Sequence, residues 1–343
     1  MSDDISRRNL LRASAAATAG LGVVGTAAAE GDAAPEVMGE IPCVDLTDVE
    51  DRTTTVSASE PLPEQATGIR PGSQMFIEYP DGTTAGCTAN FIWRDTSTAI
   101  DDDFDDERGN SPVFGDDQNP LYIGAAGHCF LPGNQTADDE AGDDFEETYD
   151  VSQLTVKVCK NCTFGGITGL SFVDGEVYEL GEVVYARQAL PNDEGTEGEE
   201  VGHDFGLVRI PSSAEDAVDP SLPQFGGPSG VSEGAVPAGL PVNQYGAGVA
   251  NGEVFPTMGS NGVSEGDLGT SESWYAGIRA SPGDSGSPLQ ATEAGTGVEG
   301  GDAGGILTHL TAVGTAGTTM GRCVEMVQTD IGLSIETVLA GER

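Results

Sequence analysis

Basic residues, histidines and long apolar runs are scarce in this 343-residue chain. Lysine occurs only as Lys157 and Lys160, and 14 Lys+Arg face 57 Asp+Glu, giving a formal net charge of −43 at pH 7. A surface this acidic repels phosphate, so we expect no nucleic-acid partner and no anionic membrane as a partner after export. The longest apolar stretch, Ala13 to Val24, is interrupted by glycine and is too short for a stable membrane span.

The excess of acidic residues has two interpretations. Intrinsic disorder is one, but the regular apolar segments between the acidic clusters argue against it. The other is a folded protein from a high-salt environment such as that of a haloarchaeon, because a screening length of about 3 Å at 1 M salt weakens repulsion between carboxylates. We favour this halophilic interpretation and expect low salt to destabilise the fold. No ligand spacing in the acidic loops indicates a metal site, and no cofactor is expected.

The first 29 residues have the pattern of an export signal. Ser6–Arg12 matches the twin-arginine pattern, and the Ala/Gly stretch that follows leads to a small-residue cleavage site at Ala27–Ala29. We therefore expect a signal peptide that the twin-arginine export machinery recognises, and release of the protein outside the cell. Residues 30–70 are polar and weakly patterned, which indicates an arm or short pro-segment.

The cysteines are even in number, which suits an exported protein with disulfides. They are Cys43, Cys87, Cys129, Cys159, Cys162 and Cys323. Zinc is an alternative at the closely spaced Cys159 and Cys162, but a closed zinc site needs four ligands and the sequence offers no second such pair or nearby histidine. A local disulfide is favoured there.

From Gln74 onward, short apolar runs alternate with loops rich in acidic residues and glycine. Strands are expected at 75–79, 87–93, 154–158, 177–184, 205–210, 242–249, 305–310 and 318–327. Helical patterning is confined to 331–339, where Asp330 could cap the start. Many short strands with one terminal helix predict an all-β sandwich or barrel.

Three segments carry residues suited to nucleophilic catalysis. His128 lies in Ala-Ala-Gly-His-Cys, Asp204 in His-Asp-Phe-Gly-Leu-Val, and Ser285 in Pro-Gly-Asp-Ser-Gly-Ser-Pro. Each alone has a structural interpretation: a buried histidine, one aspartate among many, or an ordinary turn. Together and in this order, they resemble the chymotrypsin-like serine endopeptidases, most closely the secreted bacterial streptogrisin and alpha-lytic branch. The resemblance extends over about residues 72–340.

The resemblance implies an all-β fold of two antiparallel six-stranded β-barrels with the active site between them and a short C-terminal helix. It also implies that His128 is the general base, that Asp204 orients the imidazole, and that Ser285 attacks protein or peptide substrates to form an acyl-enzyme. The backbone N–H groups of Gly283 and Ser285 would form the oxyanion hole.

With this resemblance, the chain is expected to divide into four segments. They are a signal peptide over 1–29, an arm or pro-segment over 30–70, a first barrel with acidic insertions over 71–217, and a second barrel with the helix over 218–343. The resemblance further implies a disulfide between the histidine loop and an adjacent strand. The expected pairs are Cys87–Cys129 on that ground, Cys159–Cys162 locally, and the remaining Cys43–Cys323.

Substrate-binding residues are also implied by the alignment around Ser285. Arg279 falls at the base of the P1 pocket, Thr308 at the small hydroxyl residue that contacts the catalytic aspartate, and Thr318 in the pocket wall. A buried Arg279, together with His309, would favour an acidic P1 side chain. Pairing of Arg279 with a surface acid is the alternative. Leu310 departs from the family pattern, in which glycine is usual, and would narrow the cleft.

Two other functions remain open at this point. A catalytically idle, protease-like binding protein is supported by Leu310 and the bulky acidic insertions, and a serine esterase would hydrolyse lipid esters instead of proteins. The twin-arginine route exports folded chains, so an active protease would form inside the cell. We therefore expect residues 30–70, or a separate intracellular inhibitor, to restrain activity until export.

Overall fold

The computed structural model describes residues 34–47, 68–96, 120–131, 150–160, 163–165, 171–173, 176–188, 197–251 and 258–342. The expected signal peptide and most of the acidic insertions lie outside these residues. The disulfide expected between Cys159 and Cys162 also lies outside the described residues, because Cys162 is not among them. Within the described ranges, no helix has the length and apolar character needed to cross a membrane.

Strands make up most of the regular structure. The first are β1 Val37–Glu40, β2 Val44–Asp45, β3 Gln74–Glu78, β4 Thr84–Thr88, β5 Ile92–Asp95, β6 Leu121–Ala125, β7 Thr155–Lys160, β8 Thr163–Gly165, β9 Ser171–Val173 and β10 Glu176–Glu179. Then follow β11 Val183–Arg187, β12 Phe205–Arg209, β13 Gly230–Val231, β14 Pro241–Tyr245, β15 Gly259–Gly266, β16 Ser273–Gly277, β17 Pro288–Ala291, β18 Asp302–Thr311, β19 Gly314–Thr318 and β20 Ile335–Thr337. The α-helices are α1 Glu197–Val201 and α2 Met320–Ile331, and 3-10 turns lie at Gly127–Cys129, Val151–Gln153, Ser212–Ala217 and Ala340–Glu342.

The first half of the molecule consists of two five-stranded sheets around a common core. Their strand orders are β10-β7-β3-β4-β2 and β11-β12-β6-β5-β20. Apolar side chains from both sheets form one buried cluster, including Met75, Ile77, Ile123, Val156 and Val208. Because strand side chains alternate between two faces, each strand needs only two or three such residues to join this core.

The second half is a closed antiparallel barrel. Its strands run in the order β18-β17-β14-β15-β16-β19, and β19 pairs with β18 to complete the ring of six. Val242, Trp274, Leu289 and Leu307 are buried in its core. The expected all-β class is thereby confirmed, with the second half forming a closed six-stranded barrel and the first half forming two five-stranded sheets around one core.

The position expected for the C-terminal helix is wrong. Instead of 331–339, the helix α2 begins after Thr319, whose hydroxyl caps the N–H of Arg322, and it ends at Gly332 with a left-handed φ of 71°. The strand expected at 318–327 is therefore helix over most of its length. Beyond the helix, β20 returns to the first half and pairs with β5.

The expected bridge between Cys43 and Cys323 is also wrong. Among the described cysteines, Cys323 is free and is buried in α2. Cys43 lies just before β2, which pairs with β4, so it meets the cysteine of β4. The Cα atom of Cys87 lies 5.3 Å from that of Cys43 and 6.5 Å from that of Cys129, and both spans suit a disulfide.

Candidate active site

His128, Asp204 and Ser285 meet between the two halves of the molecule. Ser285 Oγ lies 2.7 Å from His128 Nε2, and His128 Nδ1 lies 2.6 Å from Asp204 Oδ2. All three side chains are buried. The hydroxyl, imidazole and carboxylate thus form one continuous hydrogen-bonded row. When the imidazole is neutral with its proton on Nδ1, the hydroxyl donates to Nε2 and Nδ1–H donates to the carboxylate.

Strand pairing in the first half brings His128 and Asp204 together. β6 and β12 are antiparallel neighbours, with Ala125 opposite Gly206, so the turn after β6 lies beside the residue that precedes β12. The backbone N–H of His128 also donates to Asp204 Oδ1 at 3.0 Å. Gly127 makes this approach feasible, since a Cβ there would lie 1.7 Å from the carbonyl oxygen of Arg187.

The loop that carries Ser285 is held from both sides. Ser285 accepts the N–H of Thr88 in the first half at 2.8 Å, and Gly286 donates to Leu307 of the second barrel at 2.7 Å. Gly286 has a φ of +89°, and a Cβ there would lie 2.2 Å from the carbonyl oxygen of Thr88. Glycine is therefore required for this contact between the halves.

The charges of Asp204 and His128 stabilise each other. Burial alone would raise the pKa of Asp204, but the imidazolium of His128 and its hydrogen bonds hold that pKa below the ordinary value of 3.8. Burial would lower the pKa of His128, but the carboxylates of Asp204 and Glu40, with hydrogen bonds to Asp204 and Ile41, raise it to about 9. This arrangement can hold a proton on the imidazole.

Asp284 lies next to Ser285 in a different environment. Its Oδ1 accepts the N–H of Gly248 and the amide of Asn251, both at 2.8 Å, and its Oδ2 accepts the N–H and hydroxyl of Ser281 at 2.7 and 3.0 Å. Burial raises the pKa of Asp284 to about 6 despite these donors. Asp284 therefore holds the loop through hydrogen bonds to neutral donors.

The expected oxyanion donor at Gly283 faces a carbonyl group. Gly283 has a φ of +90°, and its N–H donates to the carbonyl oxygen of Pro42 at 2.9 Å. That N–H is therefore directed toward the cleft, where an oxygen bearing developing negative charge would need it.

Three of the residues expected to bind substrate, Thr308, His309 and Arg279, make hydrogen bonds within the protein. Thr308 Oγ1 lies 2.7 Å from His309 Nδ1, and burial lowers the pKa of His309 to about 4, so this imidazole is neutral beside Asp204. Arg279 is partly buried and donates from Nη2 to the carbonyl oxygen of Gly259 at 3.0 Å.

Thr318 lies behind the aspartate. Its hydroxyl is 2.9 Å from the carbonyl oxygen of Asp204 and 3.1 Å from that of Val201, so it supports the chain that presents the carboxylate. This placement differs from the pocket wall expected for it. The position of this hydroxyl depends on the pairing of β19 with β16 and β18, which an alignment of the sequence does not contain.

Sequence reasoning missed the residues of the arm that lie at the site. Ile41 is buried, and its carbonyl oxygen is 3.1 Å from His128 Nε2. Glu40 lies close enough to raise the pKa of His128. The available signal was the short apolar run Ile-Pro-Cys-Val at 41–44, which stands out within an otherwise polar segment.

Two groups of side chains have ligand atoms within 4.8 Å of one another: Cys43, His128 and Cys129, and Glu40, Asp204 and His309. Both groups include a member of the hydrogen-bonded row. A metal ion bound at either would compete with Ser285 or with the imidazole for the same lone pairs. These residues can therefore form either a metal site or a proton-transfer site. The position of Ser285 Oγ, 2.7 Å from His128 Nε2, favours proton transfer.

No protein-family model and no curated protein matches the chain. Several solved structures are similar at low identity. They include Protease A of Thermobifida fusca, with 15% identity over 79% of this chain and 100% of that chain at a TM-score of 0.38. Protease Anisep of Arthrobacter nicotinovorans has 12% identity over 77% of this chain and 96% of that chain at 0.40, and a Glu endopeptidase has 12% over 80% and 98% at 0.43. At this level of similarity, activity and specificity must be judged from the residues of this chain.

Proposed function

We propose that the chain is an exported serine endopeptidase that cleaves peptide bonds through Ser285, His128 and Asp204. The observation that carries this proposal is the row of two short hydrogen bonds, 2.7 Å from Ser285 Oγ to His128 Nε2 and 2.6 Å from His128 Nδ1 to Asp204. A serine hydroxyl is a weak nucleophile until an adjacent base removes its proton. The row supplies that base and the group that orients it.

In the proposed reaction, His128 takes the hydroxyl proton as Ser285 attacks the substrate carbonyl carbon. Asp204 stabilises the imidazolium that forms, and the N–H groups of Gly283 and Ser285 stabilise the oxyanion. The imidazolium then gives its proton to the leaving amine, which departs and leaves an acyl-enzyme. Water, activated by the same imidazole, releases the acid product. One oxyanion donor contributes about 3 kcal/mol to such a barrier.

Export and adaptation to high salt are part of the same proposal. The twin-arginine pattern and the net charge of −43 support them. At high ionic strength the acidic surface is screened, so the fold and the activity should both depend on salt. An acidic P1 preference at Arg279 remains a proposal as well. A peptide library that varies P1 tests it, and equal rates for acidic and aliphatic residues would contradict it.

The test of the proposed function compares Ser285→Ala with Ser287→Ala across a salt series. Both serines are buried in the same loop, but the Ser287 hydroxyl donates to the backbone of Asp284 and not to His128. We expect fluorophosphonate labelling and casein hydrolysis at high salt, both lost in Ser285→Ala, with a rate decrease of about 10⁶-fold, and both retained in Ser287→Ala.

Other outcomes would decide against the proposal. Folded chain that takes up no probe in any variant would favour the idle binding protein. Labelling accompanied by turnover of lipid esters but not of casein or peptides would favour the esterase. Labelling that persists in Ser285→Ala would show that a different group is the nucleophile.

A further inference from the structure

Thr88, the last residue of β4 in the first half, lies against the loop that carries Ser285. The residue is buried, and its N–H donates to the carbonyl oxygen of Ser285 at 2.8 Å. The Thr88 hydroxyl donates to the carbonyl oxygen of Gly283 at 2.7 Å. One residue therefore holds two carbonyl groups of the loop, one on each side of Asp284.

The same hydroxyl also accepts a hydrogen bond from the second half. The N–H of Ala247 donates to Thr88 Oγ1 at 3.0 Å, so the hydroxyl uses both its proton and an acceptor lone pair. Ala247 belongs to the turn after β14, in which Gly248 and Asn251 donate to Asp284. Thr88 is therefore hydrogen-bonded to the loop that contains Asp284 and to the turn that holds its carboxylate.

Gly283 needs contacts with other residues to keep its orientation. Glycine adopts positive and negative φ about equally readily, so no side chain imposes the φ of +90° at this position. The peptide group before Gly283 is held at the carbonyl oxygen of Pro282, which accepts the N–H of Val249 at 3.0 Å. The N–H of Gly283 belongs to that same peptide group and meets the carbonyl oxygen of Pro42 at 2.9 Å. The direction of this N–H therefore depends on how the peptide groups around Gly283 are held.

The peptide group after Gly283 is held at both of its polar atoms. The N–H of Asp284 donates to the carbonyl oxygen of Ser281 at 2.9 Å, which is a contact within the loop itself. The carbonyl oxygen of Gly283 accepts the Thr88 hydroxyl, which comes from the half of the molecule that carries His128. The hydroxyl therefore fixes the loop relative to the base, and a contact within the loop cannot do this.

We propose that Thr88 is a positioning residue for the oxyanion hole, and that its hydroxyl keeps the Gly283 N–H directed at the oxygen that becomes negative. The proposal rests on the proposed peptidase function. Oxyanion donors stabilise the transition state because they are already at hydrogen-bond distance from the place where the charge develops. Loss of the hydroxyl should therefore slow the chemical step. Substrate binding, which other contacts supply, should stay near its ordinary strength.

The experiment compares Thr88→Val with Thr319→Val in the full chain at high salt. Valine has the shape of threonine but neither donates nor accepts a hydrogen bond. Thr319 is the matched control, because it is buried and its hydroxyl also donates to backbone carbonyl oxygens and accepts a backbone N–H. Complete loss of one oxyanion donor costs about 10²–10³ in kcat, so we expect Thr88→Val to lose about tenfold. KM should stay near the wild-type value, and Thr319→Val should change neither constant.

Two further substitutions at the same position separate the hydroxyl from the rest of the side chain. Thr88→Ser keeps both hydrogen bonds and loses only a methyl group, so we expect kcat near the wild-type value. Thr88→Ala removes the hydroxyl without placing an apolar group against the carbonyl oxygen of Gly283. It should lose kcat as Thr88→Val does, and it replaces that variant in the comparison if Thr88→Val does not fold. Thermal unfolding at the same salt concentration verifies that each variant is folded.

Inhibition by a peptide aldehyde is a readout that a change in stability alone would not move. The aldehyde forms a tetrahedral adduct with Ser285, and its oxygen takes the position of the oxyanion. Analogues of the transition state gain affinity from the interactions that stabilise it, so the inhibition constant of Thr88→Val should rise about tenfold, in step with the loss of kcat/KM. Thr319→Val should keep the wild-type constant. The aldehyde carries the sequence of the casein peptide that the wild-type chain cleaves fastest.

The outcomes separate this proposal from the proposed function. If the wild-type chain hydrolyses peptides and Thr88→Val keeps its kcat and its inhibition by the aldehyde, the positioning role is overturned and the peptidase stands. Equal losses in Thr88→Val and Thr319→Val, or a loss in Thr88→Ser as large as that in Thr88→Val, would overturn it too. A raised KM at unchanged kcat in Thr88→Val would do the same. A folded wild-type chain that neither hydrolyses peptides nor takes up the fluorophosphonate probe overturns the peptidase and the positioning role with it.

Discussion

Two buried carboxylates flank Ser285, and they differ in what faces them. Asp204 is 0% exposed and meets the imidazole of His128, whereas Asp284 is 1% exposed and meets the amide and hydroxyl groups of Gly248, Asn251 and Ser281. Burial raises the pKa of each, but the net effect is a lowered pKa at Asp204 and a raised one at Asp284. Neutral donors do not compensate for the loss of hydration as a cation does.

Asp204 and Asp284 therefore have different roles. The charge of Asp204 takes part in the proposed reaction, whereas the hydrogen bonds of Asp284 keep the shape of the loop. The negative charge of Asp204 stabilises an imidazolium that forms during the proposed reaction. The oxygens of Asp284 are acceptors for a loop that must keep one shape. Replacing each aspartate by asparagine, which keeps the shape and removes the charge, should therefore give different results.

The largest expected effect follows from Asp204→Asn. The amide cannot stabilise the imidazolium and favours the wrong tautomer, so we expect kcat for peptide hydrolysis to fall by about 10⁴-fold, the known loss for this change in chymotrypsin-type triads. Asp284→Asn is the matched comparison, and we expect about a tenfold loss, equal to ~1.4 kcal/mol of barrier. Losses of equal size would contradict the distinction between the two carboxylates.

Stability should depend on pH in opposite directions at the two sites. The pKa of Asp284 is raised from 3.8 to about 6, so the folded state binds the proton more tightly. Its contribution to the free energy of unfolding is fully present below pH 3.8 and decreases by about 3 kcal/mol as the pH rises through 6. The pKa of Asp204 is lowered, so its contribution is present above pH 3.8 and is lost as the pH falls through the folded-state value.

Urea unfolding at constant high salt between pH 4 and pH 7 measures this effect. Compared with the wild-type chain, Asp284→Asn should lose less stability as the pH rises across this range. Asp216→Asn, at an exposed position, is the control and should follow the wild-type chain. A variant curve parallel to the wild-type curve would show that Asp284 is charged in the folded state at pH 4.

The residues of the candidate site could be predicted because each is marked by its neighbours in the sequence. The glycine before His128, the strand after Asp204 and the glycines around Ser285 are local signals of a turn, a strand end and a tight loop. Whether the three residues lie close together depends on how the strands pair, which the sequence does not show. The order of the three motifs, which resembles that of a known family, predicts their proximity without it. This is why the triad could be proposed from sequence although no strand register was available.

The arm and the cysteine pairing could not be predicted in the same way. Whether Cys43 meets Cys87 or Cys323 depends on the path of Val37–Asp45 across the cleft, and that path is set by contacts with residues far along the chain. The misplaced helix is a different case, because its signals are local. Thr319 caps its start and Gly332 ends it, but Val324 and Val327 are β-branched residues, a type that is common in strands.

A smaller effect should follow from Glu40→Gln, which acts on the same imidazole as Asp204. Removing the carboxylate removes one of the charges that raise the pKa of His128 to about 9, so we expect that pKa to decrease. The measurement is an NMR titration of the histidine rings in the Ser285→Ala background, which prevents self-cleavage. Glu293→Gln, at an exposed position of the second barrel, should leave the titration unchanged. An unchanged His128 titration in Glu40→Gln would contradict docking of the arm.

The smallest effect concerns the backbone behind Asp204. Thr318→Val removes a hydroxyl that donates to the carbonyl oxygens of Asp204 and Val201, and leaving these acceptors without it costs about 1–3 kcal/mol of unfolding free energy. Thr315→Val is the control on the same strand, because the buried Thr315 hydroxyl has no hydrogen-bond partner among the described residues and its loss should cost nothing. The carboxylate and imidazole are untouched, so kcat and KM should stay near the wild-type values. A large change in KM with Thr318→Val would mean that this residue contacts substrate, and the hydroxyl would then act in the pocket instead of behind the aspartate.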